Sequence, residues 1–556
     1  MIGKSLAAGA VATLLTGFTS AAHATVTISS KPTTNMSCAA GVCTPTADQA
    51  ILNVSDLEHL IGQSDTKVLA KAMPLRIVAP LAWASTAQLT LDSPSIAIDQ
   101  PITVQGTGGL VINTRHGNTK GAYVLERKGR VEFWDLGGRL AIDGNPYVLV
   151  KTVEQLSQSV SANPNGFYAL AQNYDAAADG TYASSPVVEL DGTFEGLGNA
   201  ISNLTIADTL EDDNAALFTY LGSGFNTRTS VRDITLNNLR LTGSAGFNRM
   251  GGIAVNNFGT ISNVHVHGRI SSTSDIGAIA SYNAGLVDHA SAAVRETVIY
   301  VGGSGGSLGG LVAQNHGTVR DSFSTGAVSG DFQSDNVGGL VGYNQQGQII
   351  DSWSSGNVKS ATFSGGLVGY SDGIISGSFA KGNVTGDGGV NGGGLVGENL
   401  GMIKGSFALG SISNFENVGG LMGQNFGTAS ESFARGAVSN ADISIGGLAG
   451  FNFGTLSQTY STGSVTGGGS VEFGGLLGGD NPVLGTVDTS YWDTNTSGIS
   501  DQSEGCGSPP SCPGVTGLST AQFQSGLPSG FDPAVWAEDP NINNGYPYLL
   551  ANPPPK

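Results

Sequence analysis

A repeated glycine pair constrains the fold of this 556-residue chain more than any other feature of its sequence. Nine times, a Gly-Gly or Gly-Ala pair is followed by a large aliphatic residue, and successive copies lie 26 to 32 residues apart. A repeat of this length is typical of solenoids, propellers and similar arrays. The nine aliphatic anchors are Ile253, Ile279, Leu311, Leu340, Leu367, Leu395, Leu421, Leu448 and Leu476.

Each copy carries the same further columns of residues. An Asn usually stands four residues after the anchor, an aromatic residue follows about twelve residues after it, and a Gly with a β-branched residue closes the unit. These short apolar pieces, separated by Gly, Asn and Ser, indicate three strands and three turns. None of the pieces is long enough, or has enough 3.6-residue periodicity, to be a helix.

A parallel solenoid fits this pattern better than tandem hairpins, whose strands would be longer and joined by two-residue turns. In a solenoid each strand pairs with its copy in the next coil, about 4.8 Å away. We therefore predict an all-β, right-handed parallel β-helix with about 27 residues per coil. Its handedness follows the general rule for parallel crossovers.

Stacking of equivalent coils predicts two continuous columns of side chains. Buried Asn amides are expected to bond from coil to coil as a ladder, and aromatic rings to form an inner stack at the same spacing. Gly is expected to supply positive φ at corners, or room where the backbone is crowded. The predicted ladder is Asn257, Asn283, Asn315, Asn344, Asn399, Asn425 and Asn452, interrupted by Ser371, and the predicted stack is Phe323, Trp353, Phe379, Phe407, Phe433 and Tyr460.

One column leaves two alternatives open. Strict alternation would place Leu340 and Val341 on opposite faces, yet the Val341 column is apolar in every copy. Either the strand kinks and buries both columns, or an apolar stripe runs along the outside and offers a partner surface. The first alternative is favoured because parallel strands are normally covered.

Residues 1–24 have the pattern of a secretory signal peptide. Lys4 supplies the basic region, an apolar stretch follows, and Ala22-His23-Ala24 is a small-x-small cleavage site. No later segment is apolar for long enough to span a membrane. Without Lys4 the chain has 43 acidic and 23 basic residues, a formal charge of −20, which disfavours nucleic acid and anionic membranes as partners. We expect an exported protein, extracellular or on the outer surface of a bacterium.

The sequence divides into five segments. A cap helix is expected near residues 46–62, with Ser55-x-x-Glu58 as its capping box, and a second helix around Val153–Val160. The tail is expected to fold over the last coil and protect its strand edges. The predicted segments are the signal peptide 1–24, an N-terminal cap with solenoid-like strands 25–150, irregular coils 151–245, the regular array 246–495 and a capping tail 496–556.

Four cysteines form two local pairs near the two ends, Cys38 with Cys43 and Cys506 with Cys512. Disulfides are their natural fate after export. Metal ligation by all four would require the two ends of a linear solenoid to meet. Each bridge closes a short loop and therefore adds little entropic stabilisation to the whole fold.

Candidate catalytic or metal-binding groups are few, and no enzyme, cofactor or metal is predicted. Glu211-Asp212-Asp213 is the densest acidic group, and we interpret it as a solvated turn. His265 and His267 share a strand face, but no third ligand stands at fixed spacing. Gly-x-Ser-x-Gly strings around Gly303-Ser304-Gly305 lack the context of a nucleophile elbow.

The strings GGLVGYN, GGLVGEN and GGLMGQN resemble the GLUG motif of filamentous-haemagglutinin-like bacterial adhesins. The segments ISNLTI before the array, and SYWDTNTSG and GYPYLL after it, are similar to segments that often flank GLUG arrays. The resemblance covers roughly 190–500 well and 45–150 more loosely. It implies a β-helical exported surface protein, but it implies no ligand, because these repeats are scaffold columns.

The sequence differs from the family pattern at two places. Asn163-Pro164-Asn165-Gly166 occurs outside any convincing two-partner secretion domain, and the chain ends in Pro-Pro-Pro-Lys rather than a barrel strand. We predict adhesion or extracellular-matrix interaction with surface glycans or proteins, and an outer-membrane secretion partner is an open option. The alternatives are a polysaccharide-active β-helix enzyme or a self-associating structural solenoid. Ligand specificity is expected in the irregular parts, between Ile279 and Leu311, in 207–250, or at the ends.

Overall fold

The chain forms a parallel β-solenoid of about 17 turns with roughly 27 residues per turn, as seen in a computed structural model. This confirms the predicted fold class and period. The predicted signal peptide lies outside the described residues, apart from Ala24. The structure describes residues 24–115, 119, 121–208, 214–223, 228–243, 249–298, 306–331, 334–360, 362–467, 472–509 and 512–555.

Three walls of strands surround the core of the repeat array. The first wall precedes the Gly-Gly corner, and its strands are Met250–Gly251, Ile276–Gly277, Ser307–Gly309, Asn336–Gly338, Phe363–Gly365, Val384–Gly393, Ile412–Gly419, Val438–Gly446 and Glu472–Gly474. The second wall follows the corner as one 12-stranded sheet of Val187–Leu190, Phe218–Leu221, Ala254–Asn257, Ala280–Asn283, Val312–Asn315, Val341–Asn344, Val368–Ser371, Val396–Asn399, Met422–Asn425, Ala449–Asn452, Leu477–Asp480 and Cys506–Ser508.

The third wall follows the Asn turn. Its strands include Ser230–Gly243, Thr260–Ser272, Leu286–Asp288, Ser291–Val298, Thr318–Arg320, Phe323–Ser324, Gln348–Ile350, Trp353–Ser354, Ile374–Ser376, Phe379–Ala380, Met402–Lys404, Phe407–Ala408, Thr428–Ala434, Thr455–Ser461 and Thr486–Asp493. The N-terminal coils use a five-stranded sheet of Ala50–Asn53, Val26–Ser29, Leu75–Ile77, Ser95–Ile98 and Ala122–Leu125, with Leu81–Trp83, Ile102–Val104 and Val131–Phe133 as a second sheet.

The number of strands per coil depends on how sharply each wall kinks. Residues 428–452 form three strands, as the repeat predicts. Residues 336–360 form five shorter strands, and a kink between Ile350 and Trp353 divides the third wall. The kink in the third wall lies at a residue with positive φ, such as Asp351 (47°) or Glu431 (50°). Polar residues therefore hold most of these left-handed positions. The sequence predicted Gly at the corners, but in this column the glycines are Gly377 and Gly405.

The Gly-Gly corner buries both columns that the sequence left undecided. The backbone N–H groups of Leu340 and Val341 both donate to the carbonyl of Leu367 in the next coil, at 2.9 and 3.0 Å. Because two consecutive residues share one acceptor, the alternation breaks, and both side chains are fully buried. A Cβ on Gly338 would lie 1.9 Å from the carbonyl oxygen of Val341, so the corner accepts only glycine there.

The Asn column forms a buried ladder of hydrogen bonds. The side-chain amide of Asn425, for example, donates to Asn452 Oδ1 at 2.8 Å and accepts from Asn399 Nδ2 at 2.8 Å. Each of these side chains is fully buried. Ser371 replaces an amide but still accepts a bond of 3.1 Å from Asn344. Asp480 is the acceptor that follows Asn452.

A second ladder of Ser hydroxyl groups runs beside the kink of the third wall. Ser352 N–H donates to Ser378 Oγ at 3.1 Å, while Ser352 Oγ donates to the carbonyl of Ile350 at 2.8 Å. The same arrangement joins Ser378 to Ser406 and Ser406 to Ser432. Each hydroxyl thus satisfies two backbone groups that the kink removes from regular pairing. The sequence argument did not identify this ladder.

The aromatic rings stack at the predicted spacing, but the column lies outside the coil. The prediction of an inner stack is therefore wrong. Phe379, Phe407 and Phe433 stack nearly parallel, with centroids 4.9 and 4.8 Å apart. Ala380 and Ala408, the next residues, point into the main core instead. The rings belong to a separate apolar cluster with the C-terminal residues. The kink before each aromatic residue reverses the direction that simple alternation predicts.

The C-terminal tail covers the later part of this aromatic column. Residues 506–518 first add strands to the second and third walls. The chain then returns along the side of the solenoid, where Asn543 Nδ2 donates to the hydroxyl of Tyr460 at 2.8 Å and Asn552 Nδ2 donates to the carbonyl of Gly405 at 3.2 Å. Phe523, Phe531 and Trp536 pack against the column. The tail therefore shields a side of the solenoid as well as its last coil.

The N-terminal end is closed by a helix and a hairpin. The first helix spans Val54–Gln63, so it begins later than predicted, because Ala50–Asn53 forms a solenoid strand. The predicted Ser55-x-x-Glu58 capping box is wrong: Asn53 is the N-cap, and Glu58 Oε1 accepts the N–H of Ala82. The second helix spans Val153–Ala162.

The remaining local features are short. A third helix spans Thr520–Phe523. Disulfides join Cys38 to Cys43 and Cys506 to Cys512, as the local pairs suggested. No helix in the described part of the chain is long and apolar enough to cross a membrane.

One carboxyl group interrupts the apolar interior. Glu296 lies in register between Ile270 and Val328, in a column that continues with Val358. The side chain is fully buried, and burial raises the pKa of Glu296 well above its ordinary value of 4.5. The N–H of Ala278 points toward the carboxyl, but neither oxygen has a well-formed hydrogen bond among the described residues. Burial therefore favours the neutral form of this carboxyl group in the folded protein.

We expect Asn425→Ala to lower the free energy of unfolding by about 1–3 kcal/mol, because it removes two ladder bonds and leaves buried amides unpaired. Ser371→Ala is the matched control and is expected to cost clearly less, since Asn344 keeps its bond to the carbonyl of Gly347. Urea denaturation of both variants measures the difference. Equal losses at the two sites would contradict a ladder of this kind.

Phe407→Ala is expected to lower the free energy of unfolding by about 3–5 kcal/mol, because its ring is fully buried under the tail. The matched variant Phe323→Ala removes a stacked ring that is only partly covered, so its cost is expected to be much smaller. Thermal and urea unfolding report both values. A similar cost at both positions would show that the tail adds nothing to the burial of the column.

Glu296→Gln is expected to stabilise the protein increasingly as pH rises. The pKa of Glu296 is higher in the folded state than in the unfolded state, where it has its ordinary value of 4.5. The contribution of the protonated carboxyl group to folding stability is therefore complete below about pH 4.5 and is lost as the pH rises toward the folded pKa. The stability difference between variant and wild type should grow by at most about 1.4 kcal/mol per pH unit in that window. Urea midpoints between pH 5 and 8 test this, and a pH-independent difference would contradict it.

Candidate ligand-binding face

The residue between Gly and Asn in each GGLVG-x-N motif points outward from the second wall. Val341, Tyr343 and Asn344 pair in register with the neighbouring coil, whereas Gly342 does not. Val341 and Asn344 are buried, and Tyr343 is half-buried at the surface. We name this set the outer column: Tyr220, Asn256, Tyr282, Gln314, Tyr343, Tyr370, Glu398, Gln424 and Phe451.

A second column faces it across the Gly-Gly corner. The walls approach closely here, since a Cβ on Gly369 would lie 2.5 Å from the backbone nitrogen of Val337. The residues two positions before the Gly that ends each first-wall strand therefore reach the outer column. We name these the facing column: Ser307, Asn336, Phe363, Asn391, Asn417, Ser444 and Glu472.

Buried amide and hydroxyl groups of the facing column bond to one another and support the outer column from beneath. Asn391 Nδ2 donates to Glu398 Oε2 at 2.7 Å and to Gln424 Oε1 at 3.2 Å. Asn417 Nδ2 donates to Asn391 Oδ1 at 2.9 Å, and Ser444 Oγ donates to Asn417 Oδ1 at 2.7 Å. These bonds hold the outward side chains in fixed positions. The two columns together are called the outer face.

Aromatic rings extend the outer face to the adjoining turn. Tyr343 and Tyr370 meet edge-to-face with centroids 5.1 Å apart. Phe426 stacks on Phe453 at 4.6 Å, and Phe426 is 44% exposed. Tyr282 likewise contacts rings on neighbouring turns. The surface thus combines rigid rings with amide groups, the side chains that dominate adaptable binding surfaces.

The outer face carries little charge at neutral pH. Burial raises the pKa values of the Tyr343 and Tyr370 hydroxyls, which stay protonated and can donate hydrogen bonds. Burial also raises the pKa of Glu398, against the hydrogen bond from Asn391 that lowers it. The two columns as named contain no Lys or Arg, and Arg249, which continues the facing position in an earlier coil, is paired with Asp275 at 3.5 Å. The surface is therefore poorly suited to polyanions.

Among the described residues, His265 and His267 do not join a third metal ligand. His265 Nδ1 lies 2.7 Å from Ser291 Oγ, and burial, with a smaller effect of His267, lowers the pKa of His265. Glu211-Asp212-Asp213 and Gly303-Ser304-Gly305 lie outside the described residues. The ladder and stack residues are scaffold positions.

Sequence reasoning missed the outer column because it treated the repeat as uniform. It placed ligand specificity in irregular segments, since recurring columns cannot encode a unique site. One position inside the motif varies, however, and holds Tyr, Asn, Gln, Glu and Phe, while the residue after it is Asn in all but one of these copies. A variable, aromatic-rich position within a strongly conserved motif pattern was the feature of the sequence that could have indicated a binding surface.

Comparisons with known proteins identify no family for this chain. No family model and no curated protein matches it. Among solved structures, an IgA1 protease is similar over 50% of this chain and 21% of its own, with 18% identity and a TM-score of 0.29. A Bacteroides ovatus protein named as a candidate immunoglobulin A1 protease is similar over 73% of this chain and 93% of its own, with 13% identity and a TM-score of 0.26.

The first of these comparisons spans 21% of the other protein's length. Similarities this loose carry no argument about activity. The resemblance to GLUG-motif adhesins remains an interpretation of the repeat sequence.

Proposed function

We propose that this chain is an exported bacterial adhesin that binds an extended, neutral glycan along its outer face. The observation that carries the proposal is the placement of aromatic and amide side chains at a variable, outward-pointing position of the repeat. Sugar rings present C–H faces and hydroxyl edges, which match aromatic rings and amide groups respectively.

The regularity of the solenoid favours a polymer over a small molecule. Equivalent outward positions recur about every 4.8 Å along the axis. A polymer can therefore engage several coils at once, and many weak contacts then add up through avidity. The formal charge of −19 and the absence of basic residues from the two columns support a neutral ligand.

Export is proposed from the signal-peptide pattern, and the two disulfides support it. Disulfides form and persist mainly in oxidising compartments outside the cytoplasm. The pairs Cys38–Cys43 and Cys506–Cys512 each cross-link a local loop near an end of the solenoid.

We propose binding without turnover. Glycoside hydrolysis uses two carboxyl groups that lie roughly 5–9.5 Å apart. The carboxylates of the two columns are Glu398 and Glu472, which lie three coils apart, or about 14 Å along the axis. Asp372, on the adjoining turn, accepts the N–H of Gln346 in the preceding coil. This arrangement favours an adhesin over a polysaccharide-active enzyme.

The double variant Tyr343→Ala/Tyr370→Ala is expected to weaken glycan binding by about tenfold or more, because buried aromatic side chains dominate binding energies. Trp134→Ala is the matched control, since Trp134 is 54% exposed and lies outside both columns. The purified chain is first screened against immobilised neutral and acidic polysaccharides, and the variants are then titrated against the bound neutral polymers.

Two outcomes would contradict the proposal. Preferential binding of acidic polymers, or equal affinity of the double variant and wild type, would exclude the outer face as a neutral-glycan site. Sustained release of reducing ends from a bound polymer would favour the enzyme instead.

A further inference from the structure

A compact group of polar side chains lies on the third wall, apart from the outer face. Asp288 pairs in register with Arg320 of the next coil, which brings the following residues, His289 and Asp321, together. One potential ligand atom from each of Asp288, His289 and Asp321 lies within 4.8 Å of the others. We name these three residues the His289 cluster.

His289 is held in place, but it is incompletely satisfied. Its Nδ1 lies 2.8 Å from Asp288 Oδ1, and its side chain is only 10% exposed. Its Nε2 is buried and has no hydrogen-bond partner among the described residues. A buried nitrogen without a partner costs free energy, so an arrangement with no further purpose would be unfavourable.

Arg320 is the cation that neutralises Asp288 in this structure. Its Nε and Nη2 lie 2.9 and 3.1 Å from the two carboxylate oxygens of Asp288. The Arg320 side chain is 42% exposed, so it can move into solvent without disturbing the core. A second cation could then occupy the place beside the carboxylate.

The cluster is confined to one place along the solenoid. The positions equivalent to Asp288 and Arg320 in the following coils are Ile350, Ser376, Lys404 and Ser430. Scaffold features such as the Asn ladder recur in almost every coil, whereas this arrangement does not. His289 and Asp321 also occupy the polar kink column with positive φ, so the argument for a local function is the combination of one His with two carboxyl groups, which the described residues show at this place alone.

We propose that the His289 cluster binds a divalent transition-metal ion of the Zn²⁺ class, with Asp288, His289 and Asp321 as ligands and Arg320 as the cation that the metal displaces. One imidazole nitrogen with two carboxylates is a suitable set for this class, and three protein ligands leave a position for water or another ligand. Ligands about 2 Å from a tetrahedral ion lie roughly 3.3 Å apart. The widest separation of ligand atoms, at most 4.8 Å, therefore closes by up to about 1.5 Å, while the 2.8 Å contact between His289 and Asp288 opens slightly.

Isothermal titration of the chelator-treated chain with ZnCl₂, MnCl₂ and CaCl₂ tests the proposal. We expect one Zn²⁺ per chain, with His289→Ala and Asp321→Asn each weakening affinity by about tenfold or more. Arg320→Ala is expected to tighten binding, since the competing cation is removed. His316→Ala is the matched control, because His316 lies on a different turn of the coil.

Arg320→Ala distinguishes a metal site from a purely structural ion-pair network. In a network without metal function, this variant lowers thermal stability and leaves Zn²⁺ affinity unchanged. Unchanged or weaker Zn²⁺ binding by Arg320→Ala, unaltered affinity in His289→Ala, or absence of saturable binding would overturn the proposal. Preferential binding of Ca²⁺ over Zn²⁺ would also overturn it.

A measurement on the wild-type chain keeps the test valid if a variant fails to fold. Zinc X-ray absorption is expected to show imidazole nitrogen and carboxylate oxygen around the ion, and no sulfur. Affinity is expected to fall as the pH is lowered, because His289 must lose its proton to bind the metal. Sulfur ligation, or affinity independent of pH, would contradict the assignment.

Discussion

In-register pairing of each strand with its copy in the next coil is the interaction on which the rest of the structure depends. It aligns equivalent residues along the axis, so each residue of the repeat contacts the equivalent residue in the coil above and in the coil below. A buried Asn, costly alone, then finds a partner amide at 2.8 Å. The corner at Leu340 and Val341 depends on the same pairing, because one carbonyl of the neighbouring coil serves two N–H groups.

The sequence was sufficient for features that follow directly from the period. Repeat length, parallel pairing, the Asn column and the spacing of the rings all derive from residues recurring at fixed intervals. Directions of side chains were less predictable, because they depend on kinks. Positive φ at Asp351 turns Trp353 outward, and no simple alternation of polar and apolar residues signals this. The start of the first helix was misplaced for a similar reason, since solenoid pairing of Ala50–Asn53 overrides local helix preference.

Separation of scaffold and surface explains why the binding proposals fall where they do. The fold is fixed by buried columns, which leaves Tyr343, Glu398 and their equivalents free to vary without loss of stability. The outer column was missed from sequence because variation within a motif resembles noise until the outward direction of the position is known. The His289 cluster was missed because its members come from two coils and have ordinary spacing in the chain.

The returning tail also sets an order of assembly. Residues 519–552 cover coils that precede them in the sequence. The aromatic column from Phe407 to Tyr460 is therefore synthesised before the residues that cover it. A solenoid can add coils one at a time onto those already folded. That growing solenoid carries a bare aromatic side until the tail arrives. Docking of the tail is thus the last step of assembly in this order. A chain that lost its tail would expose these apolar rings to neighbouring molecules.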